Sequence, residues 1–326
     1  MVSTKTLASI AGAVIVGAAP SAHAESANPA MWRAADADTE VVFLGTFHIL
    51  PKGVDWRTPA FEVALTRADT VYFEVDSGAP DAQSKTLSVL MTQGFNADGG
   101  LLSDMLDESD TSALRGIVNS LGLPFDGVNP MRPWNAFLTL SVQFIVQQGF
   151  DPGSGVDSVL LAEARTKNKD VRFFETIDEQ LGFFTGLDAA TEKALLLMTI
   201  RDWAEQTESF DDLFAAWKNG DVAYIDSEMN RTMRAEAPVV FDRLLVERNE
   251  KWADEIARVM DEETGTILVA VGAAHLVGDQ SVPAMLGERG LAVERYGAIE
   301  TAPANDNAPA SDEDEIGSIL ESVGDE

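Results

Sequence analysis

"VVFLGTFHIL", residues 41–50, is the stretch on which the reading of this chain turns. An unbroken apolar run, Val41 to Leu44, gives way to Gly45-Thr46-Phe47-His48. Continuous apolar runs without polar alternation mark strands covered on both faces, the usual state of strands in a parallel sheet. The same design returns at 267–276, "ILVAVGAAHL", which ends in Gly272-Ala273-Ala274-His275. The chain has three histidines, and the third, His23, lies close to the N-terminus. Both histidines in the body of the chain therefore stand three places after a glycine that closes an apolar run.

Five stretches read as strands: "EVVFLG" (40–45), "TVYFEV" (70–75), "DVRFFE" (170–175), "TILVAVG" (266–272) and "LAVERY" (291–296). Helical patterns fill the intervals. Thr58-Pro59 is a good N-cap and first-turn pair for 59–68. Asp157 reads as the N-cap of 157–169. Long helical stretches cover 83–149 and 178–260, among them 133–149 and 239–260. The order predicts an α/β fold, a mainly parallel central sheet flanked by helices with a large helical insertion, in one domain spanning 25–300.

Parallel sheets gather their ligands at the C-terminal ends of the strands. The second strand ends in Glu74 and the third in Glu175, so two histidines and two glutamates hold corresponding places on four strands. Buried glutamates there need partners. Imidazole and carboxylate together suit a divalent first-row ion, which would acidify a bound water. A carboxylate not used as a ligand could serve as general base. Arg248 lies one helical turn before Trp252. It would stabilise an oxyanion or hold a substrate carboxylate, or else be an ordinary helix-surface arginine. Asp157 and the polar segment 51–59, with Trp56 and Arg57, are weaker candidates to face the site.

Composition narrows the function. Lys and Arg number 23 against 54 Asp and Glu, a formal charge of −31, which repels phosphate backbones and argues against nucleic-acid binding. There is no cysteine, so thiol catalysis, disulfides and Cys-ligated metals are excluded. Residues 1–24 carry Lys5, an apolar stretch from Leu7 to Ala19 and then Ala22-His23-Ala24, the order of a secretory signal peptide with its cleavage site. That apolar stretch is short for a membrane span, and no stable span remains after cleavage. Residues 301–326 hold eight acids and no base and read as a disordered acidic tail. The expected location is periplasmic or secreted.

The segments "VVFLGTFHILPKGVDWRTPAFEVALTRADTVYFEVD", "FFETIDEQLGFF" and "RNEKWADEI…ILVAVGAAHLVGD" resemble the TraB/GumN family over about residues 38–298. That family includes the Tiki peptidases and is related to ChaN and erythromycin-esterase-like proteins. The resemblance implies an erythromycin-esterase/ChaN-like fold, with His48 and His275 as paired histidines and Glu74 and Glu175 as paired acids. It implies a metal-dependent hydrolase acting on a peptide or small-molecule substrate. The metal would be Mn, Co, Fe or Zn, held by His48, His275, Glu74 and Glu175, with one glutamate as base and Arg248 as electrostatic helper. Two alternatives stand beside it: a metal-free esterase with His48 as the base on water, and a periplasmic haem- or metal-binding protein. For haem, Tyr72, two residues before Glu74, is a candidate axial ligand.

Overall fold

The computed structural model describes residues 25–297, so residues 1–24, read above as a signal peptide, and 301–326, read as an acidic tail, lie outside the described residues. A six-stranded sheet organises the chain. Its strands are β1 (Met31–Ala35), β2 (Thr39–Thr46), β3 (Thr70–Val75), β4 (Asp170–Glu175), β5 (Gly265–Gly272) and β6 (Val293–Arg295). Their spatial order is β6-β1-β2-β5-β3-β4. β2, β5, β3 and β4 run parallel, while β1 pairs antiparallel with both β2 and β6. The fold is thus an α/β domain with a mixed, mostly parallel sheet and extensive helical insertions.

Every residue of β2 is buried, and β5 is buried beyond its first residue, which is why both read as continuous apolar runs. The register pairs Thr46 of β2 with Gly272 of β5, so the two Gly-x-x-His turns leave the sheet side by side. Glu74 and Glu175 end the next two strands along.

The longer helices between β2 and β5 are α1 (Pro59–Arg67), α2 (Ala82–Gln93), α3 (Glu108–Ser120), α4 (Pro133–Gln147), α5 (Val156–Thr166), α6 (Ile177–Thr185), α7 (Ala189–Arg201), α8 (Gln206–Asn219) and α9 (Glu247–Glu262). A shorter helix, α10 (Val282–Glu288), comes after β5. The Thr58 hydroxyl caps α1 by accepting from Phe61 N at 3.1 Å, as its sequence predicts. The main core surrounds the sheet, and a second core under the insertion is built from Leu102, Leu114, Val118, Leu140 and Leu196.

Two sequence expectations change. "MWRAA" forms β1, a strand absent from the sequence reading. It is rich in alanine and lacks β-branched residues, and Trp32 alone gives it only a weak strand propensity. It is fixed by the turn after it, where the Asp36 carboxylate accepts from Asp38 N and Thr39 N. Asp157 is not a helix cap. Gly155 holds that position, and Asp157 lies inside the first turn of α5.

Trp217 of α8 ties the insertion to the sheet, donating from Nε1 to the Gly45 carbonyl at 2.9 Å in a fully buried bond. Trp217→Phe leaves that carbonyl unpaired and should lower unfolding free energy by about 1–3 kcal/mol, read from urea denaturation.

Candidate functional site

The four strand ends do meet, and Arg248 stands at their centre. It projects from the first turn of α9 and is 6% exposed. Nε donates to Glu175 Oε1 at 2.8 Å. Nη2 donates to Glu175 Oε2 at 3.0 Å and to Glu74 Oε2 at 2.6 Å. Nη1 donates to the Leu244 carbonyl at 3.0 Å and faces His275 Nε2 at 3.1 Å. A guanidinium has five N–H donors, and all five are used. Phe183 and Trp252 lie against its faces, with Cζ 5.2 and 4.7 Å from the ring centroids. Arg248 is therefore neither a surface residue nor a group with a donor left for substrate. It acts through the three side chains it holds.

His275 is buried, and its ring lies 4.4 Å from that of Trp252. Its Nδ1 is 2.6 Å from Asn249 Oδ1, while Asn249 Nδ2 donates to the Gln280 carbonyl. The Asn249 oxygen is thus an acceptor, so Nδ1 carries the proton and Nε2 accepts from Arg248. Burial, reinforced by the Arg248 charge, lowers the imidazole to about 3 and keeps it neutral. Burial alone would raise Glu74, but Arg248, the two histidines and the Gly272 N–H at 2.8 Å hold it well below the usual carboxylate range. Glu175 goes the other way: burial raises it, against the pull of Arg248.

His48 differs from its twin. Its side chain is 58% exposed. Nδ1 meets Asp157 Oδ2 at 2.8 Å, and Asp157 Oδ1 accepts from the Thr46 hydroxyl at 2.8 Å. Asp157 is fixed from below, so His48 Nδ1 is the donor and Nε2 is left open. The Asp157 charge, aided by Glu74, outweighs desolvation and raises the imidazole to about 9, with water at its exposed edge screening part of that pull. His48 Nε2 stands 3.8 Å from Glu74 Oε1, and His275 Nε2 lies 3.8 Å from the same oxygen.

Two glycines make this approach possible. A Cβ on Gly155 would collide with the His48 carbonyl, and one on Gly272 would lie 3.1 Å from His48 Nε2 and 3.2 Å from Glu74 Oε1. The turn carrying His275 is held from behind by buried Asn230, whose Nδ2 donates to the Ala274 and Val277 carbonyls, both at 3.0 Å. Asn230 belongs to a π-helical turn, 226–231, and a second such turn, 242–246, supplies the Leu244 carbonyl to Arg248. π-turns inside helices recur at functional sites because they shift side chains out of helical register.

A shared divalent ion needs lone pairs aimed at one point. Here the guanidinium takes both oxygens of Glu175, one of Glu74 and the free nitrogen of His275. Among the described residues, no group of three or more His, Cys, Asp or Glu is disposed to hold a metal. As arranged, the four residues do not fit a common ion. Tyr72 does not face the site either: it is buried, and its hydroxyl meets Arg172 and Glu255. Trp56 is buried against Phe61, and Arg57 pairs with Glu62 and Glu163, so neither side chain bonds to His48, Glu74, Glu175 or His275. Asp157, a weaker candidate in the sequence, does face the site, whereas Asn249, Asn230 and Gly155 are site residues that the sequence did not point to. The Gly-x-Gly-x-Asp spacing at 153–157 is the trace of the Asp157 approach.

The chain belongs to the TraB/PrgY/gumN family, matching it over residues 30–295. It is similar to "Uncharacterized protein YbaP" of Escherichia coli K12, 24% identical over 224 residues, covering 68% of this chain and 78% of the relative. The protein of the same title from Shigella flexneri is similar to the same extent. No solved structure matches the chain.

Arg248→Lys takes the bidentate partner from Glu175 and cannot at the same time reach Glu74 and His275, and it should cost about 3–5 kcal/mol in urea denaturation. The pH dependence of stability has two limbs. His275 is depressed in the folded state, so its contribution is present above its ordinary 6.5 and is lost as pH falls toward about 3. His48 is raised, so its contribution is present below 6.5 and is lost as pH rises through about 9. Stability across pH 3–10 should fall off on both sides, and His48→Asn should remove the alkaline limb alone.

Proposed function

We propose that this chain is an exported hydrolase of ester or amide carbonyls in which the Asp157–His48 pair activates water, with no ion shared by the four strand ends. The observation that carries this reading is the asymmetry of the histidines. His275 is sealed, neutral and used on both nitrogens, whereas His48 keeps Nε2 open toward solvent with Nδ1 fixed by a carboxylate. Such a pair is the general-base half of a hydrolytic site. His48 Nε2 takes a proton from water as the oxygen adds to the carbonyl carbon. Asp157, and Glu74 at 3.8 Å, stabilise the imidazolium that forms. The same proton then passes to the leaving group as the tetrahedral intermediate collapses. Arg248 keeps Glu74 ionised and in place. Export is supported by the signal-like order of residues 1–24, and among the described residues no helix is long and apolar enough to cross a membrane.

The test is hydrolysis of p-nitrophenyl esters and of unstructured peptides from pH 5 to 10. Activity should rise with pH toward about 9, because His48 is a base only once deprotonated. His48→Asn should lose about 10²–10⁴-fold. Asp157→Asn should move the limb to lower pH and reduce the plateau. Activity should survive a chelator. Loss to chelator with recovery on adding Mn, Co, Fe or Zn would contradict this reading and favour a metallohydrolase; an inert protein would contradict both.

A further inference from the structure

Among the described residues β4 is the last strand of the sheet, and no strand pairs with its outer side. Its inward groups are identified by one bond: Asp170 N–H donates to the Asp69 carbonyl on the β3 side at 3.2 Å. In a parallel ladder the amide and carbonyl of one residue face the same neighbour, and successive residues alternate. Arg172 and Phe174 therefore share the inward side with Asp170. The amides and carbonyls of Val171, Phe173 and Glu175 point outward. Among the described residues, no loop backbone bonds to them.

Open edges are ordinarily blocked by charge, proline or a bulge. The one basic side chain of β4, Arg172, is tied to Asp170 and Glu263. Its C-terminal half, Phe173 to Glu175, together with Thr176, lines a cleft of about 320 Å³ that Asp81 and Lys85 also line. The cleft shares Glu175 with the site, where that carboxylate holds Arg248 with both of its oxygens. Among the described residues Asp76, Asp81, Glu175 and Glu179 line it with Lys85. Asp76 pairs with Arg165, Asp81 with Lys85 and Glu175 with Arg248, while the Glu179 carboxylate caps Thr176, so the lining stays acidic by one net charge. The whole chain adds a field of −31. An acidic ligand is repelled.

We infer that this cleft binds an extended polypeptide by strand addition to β4, with apolar side chains toward Phe173 and basic ones toward the carboxylates. The inference rests on the hydrolase reading above and gives it a substrate class: cationic, unfolded peptide segments. Main-chain bonds to the Phe173 and Glu175 edge supply affinity and leave sequence choice to alternate side chains.

The full chain carrying His48→Asn, which stops turnover at an exposed position, is titrated with a fluorescein-labelled hexapeptide of alternating Lys and Val/Phe. Binding is followed by anisotropy, and amide hydrogen exchange is followed at Phe173 and Glu175. Saturation should slow exchange at both amides at least tenfold. Replacing each Lys of the peptide by Glu should weaken binding at least tenfold. N-methylating every second amide should abolish binding in one register and leave it intact in the other. Phe173→Pro, which removes an outward N–H and spares the ladder to β3, should bind less well than Phe173→Ala; the N-methyl series decides if the proline variant does not fold. Unprotected amides at saturation, no binding, or equal effects of the two N-methyl registers would overturn strand addition. Hydrolysis of these peptides by the unsubstituted chain without protection of Phe173 and Glu175 sinks this inference alone, whereas protection without hydrolysis sustains it and sinks the hydrolase reading.

Discussion

The site depends on one buried cation. Arg248 arrives from a helix far along the chain and satisfies all five of its donors on four different partners. Removing a guanidinium from water is costly and is repaid only when the geometry is complete. That requirement links the ends of β3, β4 and β5. Glu74 and Glu175 can be buried as carboxylates because Arg248 is between them, and His275 can be buried neutral because Arg248 donates to its only lone pair. A lysine could supply the charge but not the planar fork that joins three side chains.

Around this fixed centre the two Gly-x-x-His turns have diverged in role. They leave adjacent strands at matched register, Thr46 beside Gly272, yet one histidine faces inward and the other outward. Asn249 and Asn230 draw the His275 turn down onto α9 and the π-helical segment. Asp157 and Thr46 prop the His48 ring at the mouth of the site. Buried and neutral on one side, exposed and paired with a carboxylate on the other, the two imidazoles are pushed in opposite directions from the same ordinary value. Such a separation allows one residue to work as a base while its twin maintains the floor of the site.

Much of this was legible in the residues. The continuous apolar runs of β2 and β5 announced a two-sided parallel sheet, and the polar residues closing four strands announced a shared edge. β1 was hidden because "MWRAA" has no β-branched residue and Trp32 alone to favour a strand, and it is held by an Asp36 turn and by neighbours remote in sequence. The helix forming at Asp157 was visible, but its cap was misassigned: a carboxylate at a helix start has a sufficient local use, and its approach to His48 depends on Gly155, 107 residues away from that histidine in the chain. The arrangement of Arg248 was beyond sequence reading for a similar reason. Two His and two Glu at strand ends look like a set of metal ligands until a guanidinium from elsewhere is found among them.

The organising role of Arg248 is best tested through the protonation state of the two imidazoles, read from nitrogen chemical shifts in the ¹⁵N-histidine-labelled protein between pH 4 and 10. His275 should remain neutral over that range as the Nδ1–H tautomer, with Nε2 a hydrogen-bond acceptor, while His48 should titrate well above 6.5 and drop toward it in Asp157→Asn. If both histidines titrate together near 6.5, or His275 carries its proton on Nε2, Arg248 does not organise the site.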